Sequence, residues 1–183
     1  MALLSNLPEP ASLADVMAAY PDLAGHALPL AQHILRGPSP LPVALRELLF
    51  AYGSALNACS FCTGMHSAVA EALGTDGTLV EALVEDVDRA PVPERQRPLF
   101  RYLRKLTLTP GRMTAEDACA VRGAGWSDDA LHGVVAVSAL HNFFNRWVDG
   151  CGVTASAGDL RDGAGHIAAR GYQTGPAPGA GNR

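Results

Sequence analysis

Stop signals recur along this chain at helix-sized intervals: Gly37-Pro38-Ser39-Pro40, Leu73-Gly74, Pro91-Val92-Pro93, Thr109-Pro110-Gly111 and Gly150. Between them apolar residues fall at three- and four-residue spacing, and the period-two alternation of a half-buried strand is almost absent. The fold class this dictates is all-α, a compact helical domain of about seven to eight helices. Ser12 caps a first short helix to about Tyr20, and a second runs from Asp22 to Arg36 with a kink predicted at Pro29. A third covers Val43 to about Leu56, and a central fourth starts near Ser60 and stops at Leu73-Gly74. Asp76 or Thr78 opens the next, to about Arg89, and Glu94 to Leu108 follows as an amphipathic helix. Thr114 with Asp117 forms a capping box for a helix to about Arg122, and Ser127 caps a last long helix closed by Gly150.

These boundaries divide the chain into an N-terminal helical segment packed on the core (residues 1–40), a helical domain (41–157) and a C-terminal tail (158–183). From Gly158 onward the residues are mostly small and polar, and residues 175–181 are expected to be disordered.

At 183 residues the chain is long enough to bury a core as one domain without staples. A net charge of −4, spread through the sequence, offers no basic stripe for nucleic acid. The start Met1-Ala2-Leu3-Leu4-Ser5-Asn6 has no basic residue and too short an apolar run for a signal peptide. No apolar stretch is long enough for a membrane span, because Ser138, His141, Asn142, Asn145 and Arg146 interrupt the best candidate. The expected location is therefore cytoplasmic, where a CxxC pair is more often catalytic or metal-binding than structural. Cys119 and Cys151 stand alone and read as plain buried thiols.

The chemistry-bearing cluster is Cys59-Ser60-Phe61-Cys62 with His66, preceded by Glu47. If the segment from Ser60 is helical, Cys59, Cys62 and His66 share a stripe roughly 60° wide. Cα atoms three apart on a helix are roughly 5 Å apart, so a disulfide could open and close there with little backbone movement. Glu47 joins them only if the chain turns near Asn57-Ala58, where Gly53 and Asn57 favour a break.

Three chemistries fit these residues. Zinc would take two thiolates and an imidazole but lacks a second ligand pair. A pair of buried structural thiols would leave Glu47 and His66 without a role. Redox chemistry uses all four: a thiolate near a helix N-terminus and an imidazole attacks a peroxide, and a neighbouring thiol condenses the sulfenic acid to a disulfide.

The pattern Glu47-x11-Cys59-x2-Cys62-x3-His66, together with Leu103-Arg104-Lys105-Leu106-Thr107, Gly125-Trp126-Ser127-Asp128 and Asn142-Phe143-Phe144-Asn145-Arg146, resembles the alkylhydroperoxidase D-like branch of the carboxymuconolactone decarboxylase family. It is similar to members described as uncharacterised peroxidase-related proteins. The resemblance spans roughly Leu41 to Gly152. It implies an all-helical homo-oligomer (dimer, trimer or hexamer) that reduces hydroperoxides, with Cys62 as the peroxide-reactive sulfur and Cys59 as its resolving partner. His66 and Glu47 would be the proton relay.

One departure is Phe61, which stands where the best-known members carry a histidine between the cysteines. His141 or His132 on the last long helix could compensate, although a lone histidine on an apolar helix usually belongs to the core. Asn142, Asn145 and Arg146 read as structural, with Arg146 expected to pair with Asp149. Met65 and Phe61 line a pocket or pack in the core. No flavin or nicotinamide fingerprint is present, so no cofactor is expected and a dithiol protein, lipoyl-bearing or thioredoxin-like, must reset the disulfide. The alternatives are a redox-sensing oligomer without turnover and a lactone decarboxylase, whose branch generally lacks the cysteine pair.

Overall fold

Glycine, proline and capping residues cut the chain into short rods that pack around one helix buried along its whole middle. The structure, a computed structural model, describes residues 1–172, which form nine α-helices and two 3-10 turns, one helix more than the upper sequence estimate. The all-α class holds among the described residues, where a lone bridge between Ala11 and Val153 is the nearest approach to a sheet.

α1 (Leu13–Ala19) opens on a reciprocal cap in which Ser12 and Asp15 each accept the other's amide. α2 (Pro21–Arg36) starts one residue before its predicted onset, with Pro21 in its first turn, and continues through Pro29 as one helix. Four residues before Pro29 stands Gly25, whose carbonyl the proline ring crowds.

α3 (Val43–Leu56) is buried without interruption from Leu45 to Ser54 and packs against α2, α4 (Ser60–Ala72), α5 (Leu79–Glu85), α6 (Arg97–Leu108) and α8 (Asp128–Cys151). A helix with no solvent face must satisfy its polar residues internally. Arg46 and Glu47 lie in this buried run, and that fact shapes the site.

The α3–α4 connection uses three residues. Ala58 takes a left-handed conformation at φ 58°, its amide donates to the Ala55 carbonyl (3.0 Å) and the Cys59 amide donates to the Ser54 carbonyl (3.1 Å). This is a Schellman closure with alanine where glycine usually stands. The turn therefore falls at Asn57-Ala58 as the sequence requires, while Gly53 remains inside α3. Left-handed backbone costs a non-glycine residue roughly 1–2 kcal/mol, and glycine returns part of that through unfolded-state entropy. Ala58→Gly is expected to raise the unfolding free energy by about 0.5–1 kcal/mol in a urea titration; a loss would show that the methyl group is needed at this turn.

α5 ends at Glu85, short of the predicted Arg89, and a 3-10 turn at Glu94–Gln96 precedes α6. α7 (Ala115–Gly123) carries the expected Thr114/Asp117 box. α8 starts at the Ser127 cap but runs past Gly150 to Cys151. Gly152, at φ 72°, is its left-handed closure.

The segment assigned to a tail corrects most. α9 (Ala157–Arg170) begins with a Ser156/Asp159 capping box and packs along α4. Two glycines allow that approach: a Cβ at Gly64 would sit 2.8 Å from Leu160 Cδ1, and one at Gly163 would sit 2.9 Å from Met65 Cε. Glycine thus serves close packing here although it weakens helix propensity. Residues 175–181, expected to be disordered, lie outside the described residues. No helix among the described residues is long and apolar enough to cross a membrane.

Candidate active site

Because α3 has no solvent face, Glu47 is fully buried and its carboxylate must find donors. It finds three. Arg36, the last residue of α2, donates from Nη1 to Oε1. His66 Nδ1 lies 2.6 Å from Oε2, and the Tyr172 hydroxyl donates to both oxygens at 2.9 and 3.0 Å. Burial alone would push the Glu47 carboxyl up, but His66, Arg36 and Tyr172 together hold it below the usual range. The ionised carboxylate only accepts, which places the imidazole proton on Nδ1.

His66 is further fixed by Phe50, whose ring stacks on it with centroids 3.5 Å apart. Only its Nδ1 takes part in a hydrogen bond or ion pair among the described residues, and His66 forms part of the wall of a cavity of about 240 Å³. Apolar side chains of α1, α2, α4, α8 and α9 make up most of that wall, including Met17, Leu35, Phe61, Met65, Phe144 and Ile167. The polar exceptions are few: Cys62, His66, His166 and Tyr172.

The four predicted site residues fall into two pairs, Glu47 with His66 and Cys59 with Cys62, and Cys62 and His66 line the same cavity. Cys62 opens on the cavity, whereas Cys59, at the N-cap of α4 and fully buried, lies behind the wall. Both are free thiols. Contact with the Cys62 side chain, then burial, pushes the Cys59 thiol well up. A sulfur held neutral beside another at the cavity wall is suited to give a proton or accept a sulfenic acid, not to attack first.

Other sequence expectations resolve differently. Phe61 and Met65 do line the cavity. His141 is a core residue, fully buried, with Thr107 Oγ1 3.3 Å from Nε2 and Asn145 Oδ1 3.4 Å from Nδ1. It fills the space that Gly53 leaves, where a Cβ would strike its ring. His132 lies at a separate surface cleft. Arg146 donates to the Asn142 carbonyl (2.9 Å) and Oδ1 (2.7 Å) and not to Asp149. Asn57 Nδ2 donates to Asn142 (3.1 Å) and Asn145 (2.9 Å), so these α8 residues pin the α3–α4 turn that carries Cys59. Cys151 is buried as expected, but Cys119 is exposed. Among the described residues no group of three or more His, Cys, Asp or Glu is placed to hold a metal ion.

Burial outweighs the hydrogen bond from Asn145 and pushes His141 down from 6.5 to about 4. The unfolded chain then binds a proton that the folded one refuses, so stability is full above pH 6.5 and falls as the pH drops toward about 4. The loss attributable to His141 is on the order of 3 kcal/mol, and His141→Gln is expected to flatten that limb of a stability–pH curve. An unchanged limb would place the titration elsewhere.

Arg36 and Tyr172 are the members that sequence reasoning missed. Arg36 is an ordinary last-turn cation of α2 and carries no signal. Tyr172 does carry one, being the single aromatic residue after Trp147.

No family model and no curated protein sequence matches the chain. Solved structures do. An uncharacterized peroxidase-related protein from Silicibacter sp. TM1040 aligns with a TM-score of 0.72 and 24% identity, over 79% of this chain and 77% of the other. An alkylhydroperoxidase AhpD core protein, also uncharacterized and peroxidase-related, from Ralstonia eutropha JMP134 aligns with a TM-score of 0.75 and 19% identity, over 82% and 79%. A protein of unknown function from Agrobacterium tumefaciens, named as a candidate antioxidant defence protein AhpD, gives 0.66 and 18%, over 78% and 96%. These identities speak to architecture, and they agree with the resemblance read from the Glu47, Cys59, Cys62 and His66 spacing. The chain therefore has the all-helical fold of the alkylhydroperoxidase D-like proteins.

Proposed function

We propose that this protein is a thiol-dependent peroxidase, a dithiol/disulfide oxidoreductase that reduces hydroperoxides through Cys62 and Cys59. The observation that carries the reading is a cavity-facing Cys62 with Cys59 buried one turn before it and the Glu47–His66 pair on the same wall.

His66 Nε2, left as an acceptor by the Nδ1 proton that Glu47 holds, takes the Cys62 proton. The thiolate attacks the O–O bond of a hydroperoxide; the S–O bond forms, the O–O bond breaks, and the departing alkoxide takes the proton back from His66 and leaves as an alcohol. Cys59 then attacks the Cys62 sulfenic acid, forming the disulfide and releasing water. An external dithiol, on a lipoyl-bearing or thioredoxin-like protein, reduces the disulfide by thiol exchange and is itself oxidised. The apolar wall favours an organic hydroperoxide whose carbon chain lies against Phe61, Phe144 and Ile167. In a homo-oligomer of the kind the resemblance implies, each subunit would hold its own complete cluster.

Peroxide consumption measured against a series of dithiol donors tests the reading. Turnover with at least one donor is expected, and none with any donor, from folded and reduced protein, would refute it.

A further inference from the structure

We infer that Tyr172, brought against the core by the turn after α9, is a positioning residue for the Cys62 chemistry, setting the Glu47–His66 pair through its hydroxyl. The inference rests on the reading of Cys62 as the reactive sulfur and concerns a residue outside the motif.

The hydroxyl sits at the junction of the pair. It lies 2.9 and 3.0 Å from the two Glu47 oxygens and 3.3 Å from His66 Nδ1, and the Tyr172 ring is nearly parallel to the imidazole at 6.1 Å between centroids. The Arg36 guanidinium lies over that ring, 5.2 Å from its centroid. Tyr172 thus touches both other partners of one buried carboxylate, the Arg36 guanidinium and the His66 ring.

Its backbone is held as firmly as its ring. Gly171 closes α9 at φ 71°, and a Cβ there would strike Gln32 Oε1, the atom that accepts the Tyr172 amide at 2.8 Å. Only glycine combines that positive φ with so close an approach. Gln32, on α2, therefore anchors the turn that delivers the hydroxyl. Phe61 leaves the cavity side of His66 without a polar neighbour of the kind the family motif places there, so the ring is oriented from behind, by Glu47 and Tyr172.

The consequence for reactivity has a sign. The charged and titratable groups around the pair are Arg36 and Arg46 from α2 and α3, His141 from α8, His166 from α9 and Tyr172 itself. Removing the hydroxyl takes a donor from Glu47 and leaves its charge less satisfied. The carboxylate then draws the Nδ1 proton more strongly, Nε2 becomes the better acceptor, and the Cys62 thiol gives up its proton to it more readily.

The experiment follows iodoacetamide alkylation of Cys62 by mass spectrometry from about pH 5 to about pH 9, in protein carrying Cys119→Ser to silence the exposed thiol. Tyr172→Phe, which keeps the ring and its stacking, is expected to move the midpoint down by roughly half a pH unit or more. Gln32→Ala, which keeps the hydroxyl and removes its anchor, is expected to move it the same way by less. A midpoint unchanged in folded Tyr172→Phe and Gln32→Ala proteins would overturn the inference. Alkylation needs no peroxide turnover, so a shifted midpoint in a protein without peroxidase activity would sustain the role of Tyr172 and sink the peroxidase reading instead.

Discussion

Cys62→Ser abolishes peroxide consumption, by roughly 10³-fold or more, while the fold persists, because the hydroxyl that replaces the sulfur is not ionised near neutral pH and attacks an O–O bond far more slowly. Cys59→Ser behaves differently. Its Cys62 still lies on the cavity wall and reacts once, so about one equivalent of peroxide disappears before turnover stops. The stalled sulfenic acid is then open to further oxidation or, in protein that also carries Cys119→Ser, to trapping by dimedone at Cys62. The asymmetry follows from placement: one sulfur faces the cavity and the other, fully buried behind it, is pushed toward the neutral thiol. If Cys59→Ser loses the first turnover and Cys62→Ser keeps it, the two roles are exchanged.

Removal of Glu47 has the second large effect, and it is felt in stability before chemistry. Glu47 has no exposure and Arg36 retains only 11% of its side-chain exposure, so Glu47→Ala strands a guanidinium in a nearly dry site along with the Tyr172 hydroxyl. Breaking a buried ion pair from one side costs about 3–5 kcal/mol, which in a domain of this size lowers the Tm by roughly 10 °C. Glu47→Gln, nearly isosteric, costs less in packing but cannot hold the Nδ1 proton as a carboxylate does. Because the folded Glu47 carboxyl lies below its ordinary range, its contribution is full above the unfolded value near pH ~4.3 and is lost as the pH falls through the folded one. Thermal melts of Glu47→Ala and Glu47→Gln across acidic pH check both points; a loss below about 1 kcal/mol for the alanine variant would mean that the pair is no structural keystone.

α1 to α8 are legible in the sequence because their boundaries are local. Ser12, Thr114 and Ser127 cap with residues three positions away, and proline and glycine stop what they start. α9 is different. Ala157-Gly158 through Gly163-Ala164-Gly165 reads as weak helix former, yet Gly163 and Gly64 are what let α9 reach α4 closely enough to be held there. Its Ser156/Asp159 box is as local as theirs, but what holds the helix in place is tertiary packing that leaves no periodic trace.

The site divides along the same line. Glu47 and His66, 19 residues apart, are joined by one helical hairpin, so spacing and a predicted turn suffice to bring them together. Arg36 and Tyr172, 11 and 125 residues from Glu47, arrive by the packing of α2 and α9. Glu47 and Arg46 lie inside the buried face of α3, so further donors had to exist, because a buried charge without partners is too costly to keep. Their identity depended on the fold.

The most direct test of a Cys62–Cys59 redox pair is to treat reduced protein with one equivalent of an organic hydroperoxide and map cysteine connectivity by mass spectrometry without reduction. A Cys59–Cys62 disulfide formed in the same proportion as alcohol product, reversed by a dithiol, is the predicted result. Cys59 and Cys62 both remaining as thiols, in folded protein exposed to excess hydroperoxide, would contradict it.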